Sequence, residues 1–431
     1  MLPLSWKWSK AGAILVLVLF FLNSTGLRAQ TPSLWLLNPD SAWRASYVMM
    51  GTDASIDWGS NVLDRNFMSK MLIGGHLTST ENKSLHGQMT QVNRLGAEST
   101  VGVSFYNFSD SLLRMPNLGL RVGVSMESSA NVGFDRDFFA LSFIGNSDFL
   151  GDTVDLGPLY ADYQVFEKFG LGIFNKRNLS FIQLSAVNGQ DMQSMRLDRL
   201  KMFTSSDATS ISLDYAGEYW QADTTKSGFG QTKGFGLALD GDLNIPLEDN
   251  RGVVSLSVRN LGYIQWNNET VHEYADTNMV WSGVNVDEIV SLSENGFDMP
   301  RLKDTLAVSS ERKSLMKSLP TSVQFRMIRK LNRGNSYEAG LRFMPNRVSI
   351  PFLYAGFNHF VAPGLMLTER VTYGGYGNLN LGLEAQWMID NRVYLRAGTN
   401  QSMGFLFDAA RGMNAFVGIH VCLNKIKEDI E

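Results

Sequence analysis

Ionisable side chains on alternating segments are the part of this sequence with the greatest capacity for chemistry. Ten of them lie on the less apolar face of segments with a two-residue period: Arg121, Glu127, Asp240, Arg259, Arg326, Glu338, Arg342, Glu384, Arg396 and His420. The mixture of signs argues against an ion filter of a single sign. It indicates either a hydrogen-bonded polar network or a path for a solute.

Histidine and serine offer a second kind of chemistry, nucleophilic hydrolysis. His420 together with Ser255 or Ser257 would supply the base and nucleophile of a membrane-embedded hydrolase. A lone histidine on such a face is more commonly a hydrogen-bonded lining residue, so we assign no catalytic residue and expect a non-enzymatic protein. The histidines form no HExxH or His-x-His pair, and Cys422 is the single cysteine, so no metal or other cofactor is predicted.

The elements that carry these residues are alternating segments. In residues 118–127, leucine, valine and methionine alternate with glycine, arginine, serine and glutamate, and residues 415–423 repeat the pattern. A strand that crosses a membrane shows apolar side chains to lipid and polar ones to the lumen. The sequence therefore predicts an all-β protein, a single transmembrane antiparallel β-barrel of about 14 strands. Weaker strand candidates include residues 69–79 and 85–94.

The first 29 residues predict export. Lys7 and Lys10 precede an apolar run of about a dozen residues, and small residues follow at Gly26 and Ala29, as in a secretory signal peptide. A retained membrane anchor is the alternative, although a helical span needs roughly 20 residues. Cleavage after Ala29 would remove three basic residues and no acidic one, changing the formal charge from -4 to -7. This balance argues against a nucleic-acid partner.

The rest of the chain divides into segments that keep the alternation of apolar and polar residues and segments that lack it. Residues 30–67, with Asn38, Pro39 and Asp40, predict a plug or a periplasmic cap, and residues 68–424 predict the barrel. Residues 264–320 form a long extracellular loop or lid that contains a charged helix candidate at 311–318. Residues 138–144 predict short helical turns that end at a glycine, and residues 425–431 form a charged tail.

Three stretches resemble a known group of outer-membrane barrels. They are Asn38-Pro39, residues 137–156 with DFFALSFIGN and GDTVDL, and residues 258–266 with VRNLGYIQW. The chain is similar in these motifs to a branch of the FadL/PorV-like superfamily. The resemblance implies 14 strands, an N-terminal segment that reaches into the lumen, and either uptake of hydrophobic compounds or service to a secretion machine.

The leading hypothesis is a conduit in the outer membrane of a Gram-negative cell for a hydrophobic or poorly soluble small molecule. The second is a scaffold or accessory protein for a protein-secretion or surface-assembly machine, with secreted or surface proteins as partners. A soluble β-sandwich is the third. Strands of about ten residues, which match a tilted crossing of the hydrocarbon core, favour a barrel with outer-membrane lipid around it.

Overall fold

The computed structural model describes Ser33, Leu36 and residues 46–108, 112, 114–226, 230–249, 251–281, 308–331, 334–390 and 392–424. The strands are β1 (Ser46–Ser60), β2 (Val92–Asn107), β3 (Leu118–Asp135), β4 (Thr153–Asp155), β5 (Leu159–Asn175), β6 (Phe181–Thr204), β7 (Ile211–Gln221), β8 (Gly234–Pro246), β9 (Gly252–Trp266), β10 (Val271–Trp281), β11 (Ser309–Arg312), β12 (Leu315–Ser318), β13 (Ser322–Lys330), β14 (Ser336–Phe343), β15 (Ile350–Ala362), β16 (Leu365–Gly375), β17 (Asn380–Ile389), β18 (Val393–Thr399) and β19 (Gly412–Asn424). The helices are α1 (Arg65–Ile73), α2 (Ser79–Gln88), α3 (Arg136–Phe143) and α4 (Met403–Leu406), with a 3₁₀ turn at Ser147–Phe149. None of these helices has the length and apolar character needed to span a membrane.

The strands close into a barrel. Fourteen antiparallel strands form the ring, in the order β1, β2, β3, β5, β6, β8, β9, β13, β14, β15, β16, β17, β18, β19. β19 pairs with β1 from Ser46↔Asn424 to Gly59↔Gly412, so no edge is left in the ring. A closed sheet satisfies every backbone group within the barrel wall, which lipid requires. The predicted architecture and strand count are confirmed.

The two faces of the wall differ as the alternation predicts. On β17, Leu381 and Leu383 are about half exposed, whereas the alternate residues Glu384 and Gln386 are 1% exposed. The same contrast recurs around the ring, so the exposed apolar side chains form an outer belt and the polar ones line the lumen. An apolar outer belt around a polar interior is the pattern of a barrel that lies in lipid.

The two ends of the barrel also differ. At one end, short connections such as residues 176–180, 247–251 and 363–364 join the strands, and Ser46 pairs with Asn424. We call this the turn end. The other end, the loop end, carries the longest connections, such as residues 61–91, and contains α1–α4. Short periplasmic turns at one end and longer extracellular loops at the other are the pattern of outer-membrane barrels.

A small sheet extends the barrel wall at the loop end. β6 is 24 residues long, and its second half pairs with β7 instead of β8. β10 pairs with β7 along its full length, and β11 pairs with β10. The charged helix predicted at 311–318 is therefore wrong: β11 and β12 occupy that stretch because pairing with β10 and β9 overrides local helix propensity.

Two of the weaker strand candidates, at 69–79 and 85–94, are wrong for most of their length: they fall on α1, α2 and the connections beside them, and only residues 92–94 lie on a strand, β2. Asp64 caps α1 by accepting a hydrogen bond from the Phe67 amide at 2.8 Å, and Thr78 with Glu81 forms a capping box at α2. Both helices share one hydrophobic cluster with α3, and Leu95 on β2 packs against that cluster. Leu95 has the parity opposite to the lumen-facing Gly96, so the helices lie on the outer surface of the wall.

The barrel begins earlier in the chain than the predicted boundary at residue 68. Residues 46–60, assigned from the sequence to the plug segment, form β1 between β19 and β2. The alternation of apolar and polar residues is weak in β1. Its lumen face carries glycine, aspartate and serine, and its outer face includes Thr52 and Ala54, which are only weakly apolar. The structure thus leaves residues 30–45 for the predicted plug.

Candidate functional site

The lumen is the place where the ten predicted ionisable residues meet. All of them lie on ring strands with their side chains on the inner face. Eight are buried, and the side chains of Arg259 and Arg342 are 12% and 17% exposed. Their roles in function remain a prediction.

A chain of arginines and glutamates crosses β14, β16, β17 and β18. The Nε of Arg370 lies 2.5 Å from Oε1 of Glu338, and its Nη2 lies 2.5 Å from Oε2 of Glu384. The Nε of Arg396 donates to Oε1 of Glu384, also at 2.5 Å. Gln386 donates to the same carboxylate at 2.8 Å. Each buried charge is thereby paired and hydrogen-bonded, which is the condition for keeping it out of water.

A second cluster centres on a lysine of β5. The Nζ of Lys168 lies 2.8 Å from Glu127, 3.0 Å from Asp240 and 2.5 Å from the Oδ1 of Asn260. A register shift between β8 and β9 occurs at Asp240, and Asn260 has φ 56. Such a bulge bends the wall and redirects side chains. Here it brings an amide and a carboxylate from two strands onto one ammonium group.

The arginines nearer the turn end have their own partners. Arg259 donates to Asp242 at 2.7 Å. Arg121 donates to the hydroxyl of Tyr106 at 3.0 Å and contacts the Oε1 of Gln183. Positive charges in this part of the lumen are therefore held by one carboxylate and by neutral acceptors.

Three contacts inside the lumen join residues that are far apart in the sequence. Ser33 donates to Oε2 of Glu338 at 3.1 Å and accepts from Arg326 at 3.4 Å, so at least this N-terminal residue lies inside the barrel. His420 and Asp53 approach to 3.1 Å between Nε2 and Oδ1. The predicted plug residues Asn38, Pro39 and Asp40 lie outside the described residues.

Two polar cavities remain between these clusters, and Thr100 lines both. The cavity nearer the loop end has a volume of about 80 Å³ and is bordered by Asp57, Glu98 and Arg342. Arg342 lies 3.6 Å from Glu98 and 3.9 Å from Asp57, longer than hydrogen bonds. The second cavity, about 70 Å³, adjoins the lysine cluster. A water molecule needs about 10–15 Å³ of such volume, so each polar cavity has room for several.

An apolar cluster fills the lumen at the turn end, and we call it the floor. Its buried members are Met49, Phe108, Phe174, Leu179, Ile328, Met366, Tyr394 and Cys422, with Leu36 packed against them. They come from strands around the whole ring and from the turn at 176–180, so they meet across the lumen. The floor lies between both cavities and the turn end.

Other chemistry suggested by the sequence finds different partners in the structure. Ser255 donates to Asn244 at 2.7 Å, and His420 is on β19, half the ring away from the β9 strand that carries Ser255. Within the described residues, no group of three or more histidine, cysteine, aspartate or glutamate side chains could hold a metal ion.

Sequence reasoning missed the two cations at the centre of the clusters, Lys168 and Arg370. Both lie on strands for which only weak alternation was found. The signal that could have located them is the outward apolar residues that alternate with the lumen face: Phe169 and Leu171 follow Lys168, Val371 and Tyr373 follow Arg370, and all four are about half exposed.

The profile of a family of unknown function, DUF5723, matches residues 38–407. The chain belongs to DUF5723. A search of curated proteins gave no match. Among solved structures, the toluene transporter TbuX of Ralstonia pickettii is similar with 8% identity and a TM-score of 0.41, covering 90% of this chain and 92% of that one. The P. putida toluene transporter TodX is similar with 8% identity and a TM-score of 0.38, covering 94% and 96%. This DUF5723 member has the 14-strand architecture that the FadL/PorV-like resemblance implies.

Proposed function

We propose that this DUF5723 protein is a non-enzymatic, gated conduit of the outer membrane, described here in a closed state. The observation that supports the proposal is the pair of polar cavities inside a closed barrel, bounded towards the periplasm by the floor. A barrel that served only as an anchor could fill its lumen with packed side chains, whereas this lumen retains solvent-sized space among paired charges.

The cargo we propose is a hydrophobic or poorly soluble small molecule. The floor supports it, because a solute that reaches the periplasm must pass between apolar side chains from Met49, Phe174 and Met366. A strongly hydrated ion would lose its water there without compensation, whereas an apolar solute would not. We further propose that residues 30–45 are a plug, which the contacts of Ser33 and Leu36 inside the barrel support.

Purified protein in liposomes tests the conduit. We expect Met366→Ala, which removes a fully buried side chain from the floor, to increase uptake of a monoaromatic hydrocarbon. Met50→Ala is the matched control, because Met50 is 48% exposed on the outer belt. Deletion of residues 31–45 should also increase uptake while sparing β1. Heat-modifiable gel migration shows whether each variant folds. The proposal would be contradicted if the floor variant and the deletion variant both fold and both leave uptake at the native level.

A second function, service to a secretion or surface-assembly machine, is favoured by the sheet at the loop end. β7 and β10 extend beyond the ring and expose charged residues such as Asp276, which pairs with Arg199 on β6. A surface of this kind could receive a protein partner. Crosslinking in intact outer membranes should capture a partner through cysteines placed on β10, and an absence of any crosslinked protein would count against this function.

A further inference from the structure

Two loops from one side of the barrel cross the loop end of the lumen and meet on the opposite side. Residues 344–349 join β14 to β15, and residues 376–379 join β16 to β17. Both reach Asn131 on β3: the Tyr376 hydroxyl donates to its Oδ1, and Nδ2 of Asn346 lies 3.3 Å from the same atom. Asn346 also donates to the Tyr376 hydroxyl at 3.1 Å. We call these three residues the latch.

The wall opposite is shaped to receive the tyrosine ring. Gly96 on β2 faces it, and a Cβ at this position would overlap the ring atoms of Tyr376. Arg94, two residues away on the same face, donates to the carbonyl oxygens of Tyr376 and Gly377 at 3.0 and 3.1 Å. Tyr376 is 6% exposed as a result, although it belongs to a loop. The loop therefore has a seat on strands that do not adjoin it.

The loop begins directly after two glycines at the end of β16. Gly374 and Gly375 precede Tyr376 and have φ 98 and 67, in the left-handed region that glycine adopts without strain. Polar contacts from Tyr376 and Gly377 hold the loop to β2 and β3. Neutral hydrogen bonds contribute about 0.5–1.5 kcal/mol each and those to charged groups about 1.5–3 kcal/mol, so a loop held by a few of them can detach without unfolding the barrel.

The cavity nearer the loop end begins directly beneath the latch. Gly96, Glu98 and Thr100 follow one another on the lumen face of β2, and the last two line that cavity. From this arrangement we propose that Tyr376, seated on Gly96 and bonded to Asn131 and Asn346, controls entry from the cell exterior to the cavity. The role of Tyr376 as an entry gate for a solute rests on the proposed conduit, whereas the closure of the cavity by the latch does not.

Thiol accessibility measures the closure independently of transport. In a Cys422→Ala background, Thr100→Cys places a reporter in the cavity, and a charged methanethiosulfonate reagent is added to the loop side of proteoliposomes. We expect Tyr376→Ala and Gly96→Val to raise the modification rate by about tenfold or more, and Tyr376→Phe to raise it less, because the ring stays seated. Tyr274→Ala, an exposed tyrosine on β10, is the control and should leave the rate unchanged.

The outcomes separate the two proposals. An unchanged modification rate in the folded Tyr376 variants would overturn the latch, whatever the uptake measurement shows. If the Tyr376 variants raise the modification rate but do not increase hydrocarbon uptake, even when combined with Met366→Ala, the result would support the latch and contradict the conduit. If Gly96→Val fails the heat-modifiability test for folding, the two Tyr376 variants decide the result.

Discussion

Replacing Glu384 by glutamine tests whether the buried charge network stabilises the barrel. Glu384 is 1% exposed and pairs with Arg370 and Arg396, each at 2.5 Å. Its Oε1 accepts hydrogen bonds from Arg396 and Gln386, and hydrogen bonds to charged groups contribute about 1.5–3 kcal/mol each, so these two amount to about 3–6 kcal/mol. Breaking a buried pair by removing one partner costs about 3–5 kcal/mol, which agrees. We therefore expect Glu384→Gln to lower the free energy of unfolding by about 3–5 kcal/mol.

The loss should be visible as a lower midpoint with an unchanged slope in urea titrations of the protein in lipid vesicles. Glu369→Gln is the matched control, because the Glu369 side chain is 52% exposed and its Oε2 lies 3.5 Å from Nδ1 of His359. Its effect should stay below about 1 kcal/mol. If the free energy of unfolding of Glu384→Gln lies within about 1 kcal/mol of that of the native protein, the reasoning is refuted, because so small a change is typical of ion pairs exposed to solvent.

Two further predictions concern the floor and the outer helices. Phe174→Ala should lower the free energy of unfolding by about 3–5 kcal/mol in the same titration, because Phe174 is buried edge-on against Tyr106 and Phe108; a smaller loss would mean that the floor collapses into the space. Lys70, with the capping contacts at α2, lowers the pKa of Glu81 to about 2 from its ordinary 4.5. Because this pKa is lowered, the contact stabilises α1 and α2 fully above pH 4.5, and the stabilisation is lost as the pH falls towards 2. Amide exchange in α1 and α2 should therefore accelerate over that interval. Glu81→Gln should exchange fast at every pH, and a native-like pH response in that variant would contradict the assignment.

Much of the barrel could be predicted because alternation survives where one face of a strand meets lipid and the other meets polar groups. The segment at 118–127 shows this: its valines are exposed on the belt, and Arg121 and Glu127 are buried in the lumen. The same rule misses β1, because the two faces of this strand differ little in polarity. It also predicts a strand that starts at residue 69, where the structure has the end of α1. Helix caps at Asp64 and Thr78, which are local signals, would have corrected the second error.

The sequence by itself determined the fold class and the lumen-facing position of the ten predicted ionisable residues, since a two-residue period depends on nothing beyond the local strand. Only the tertiary structure decided which charges meet. Lys168 joins Glu127, Asp240 and Asn260 because a bulge and strand register place them together, and Tyr376 reaches Asn131 because loops from far along the chain cross the ring. Contacts between strands distant in sequence depend on ring closure and register, which no local pattern encodes.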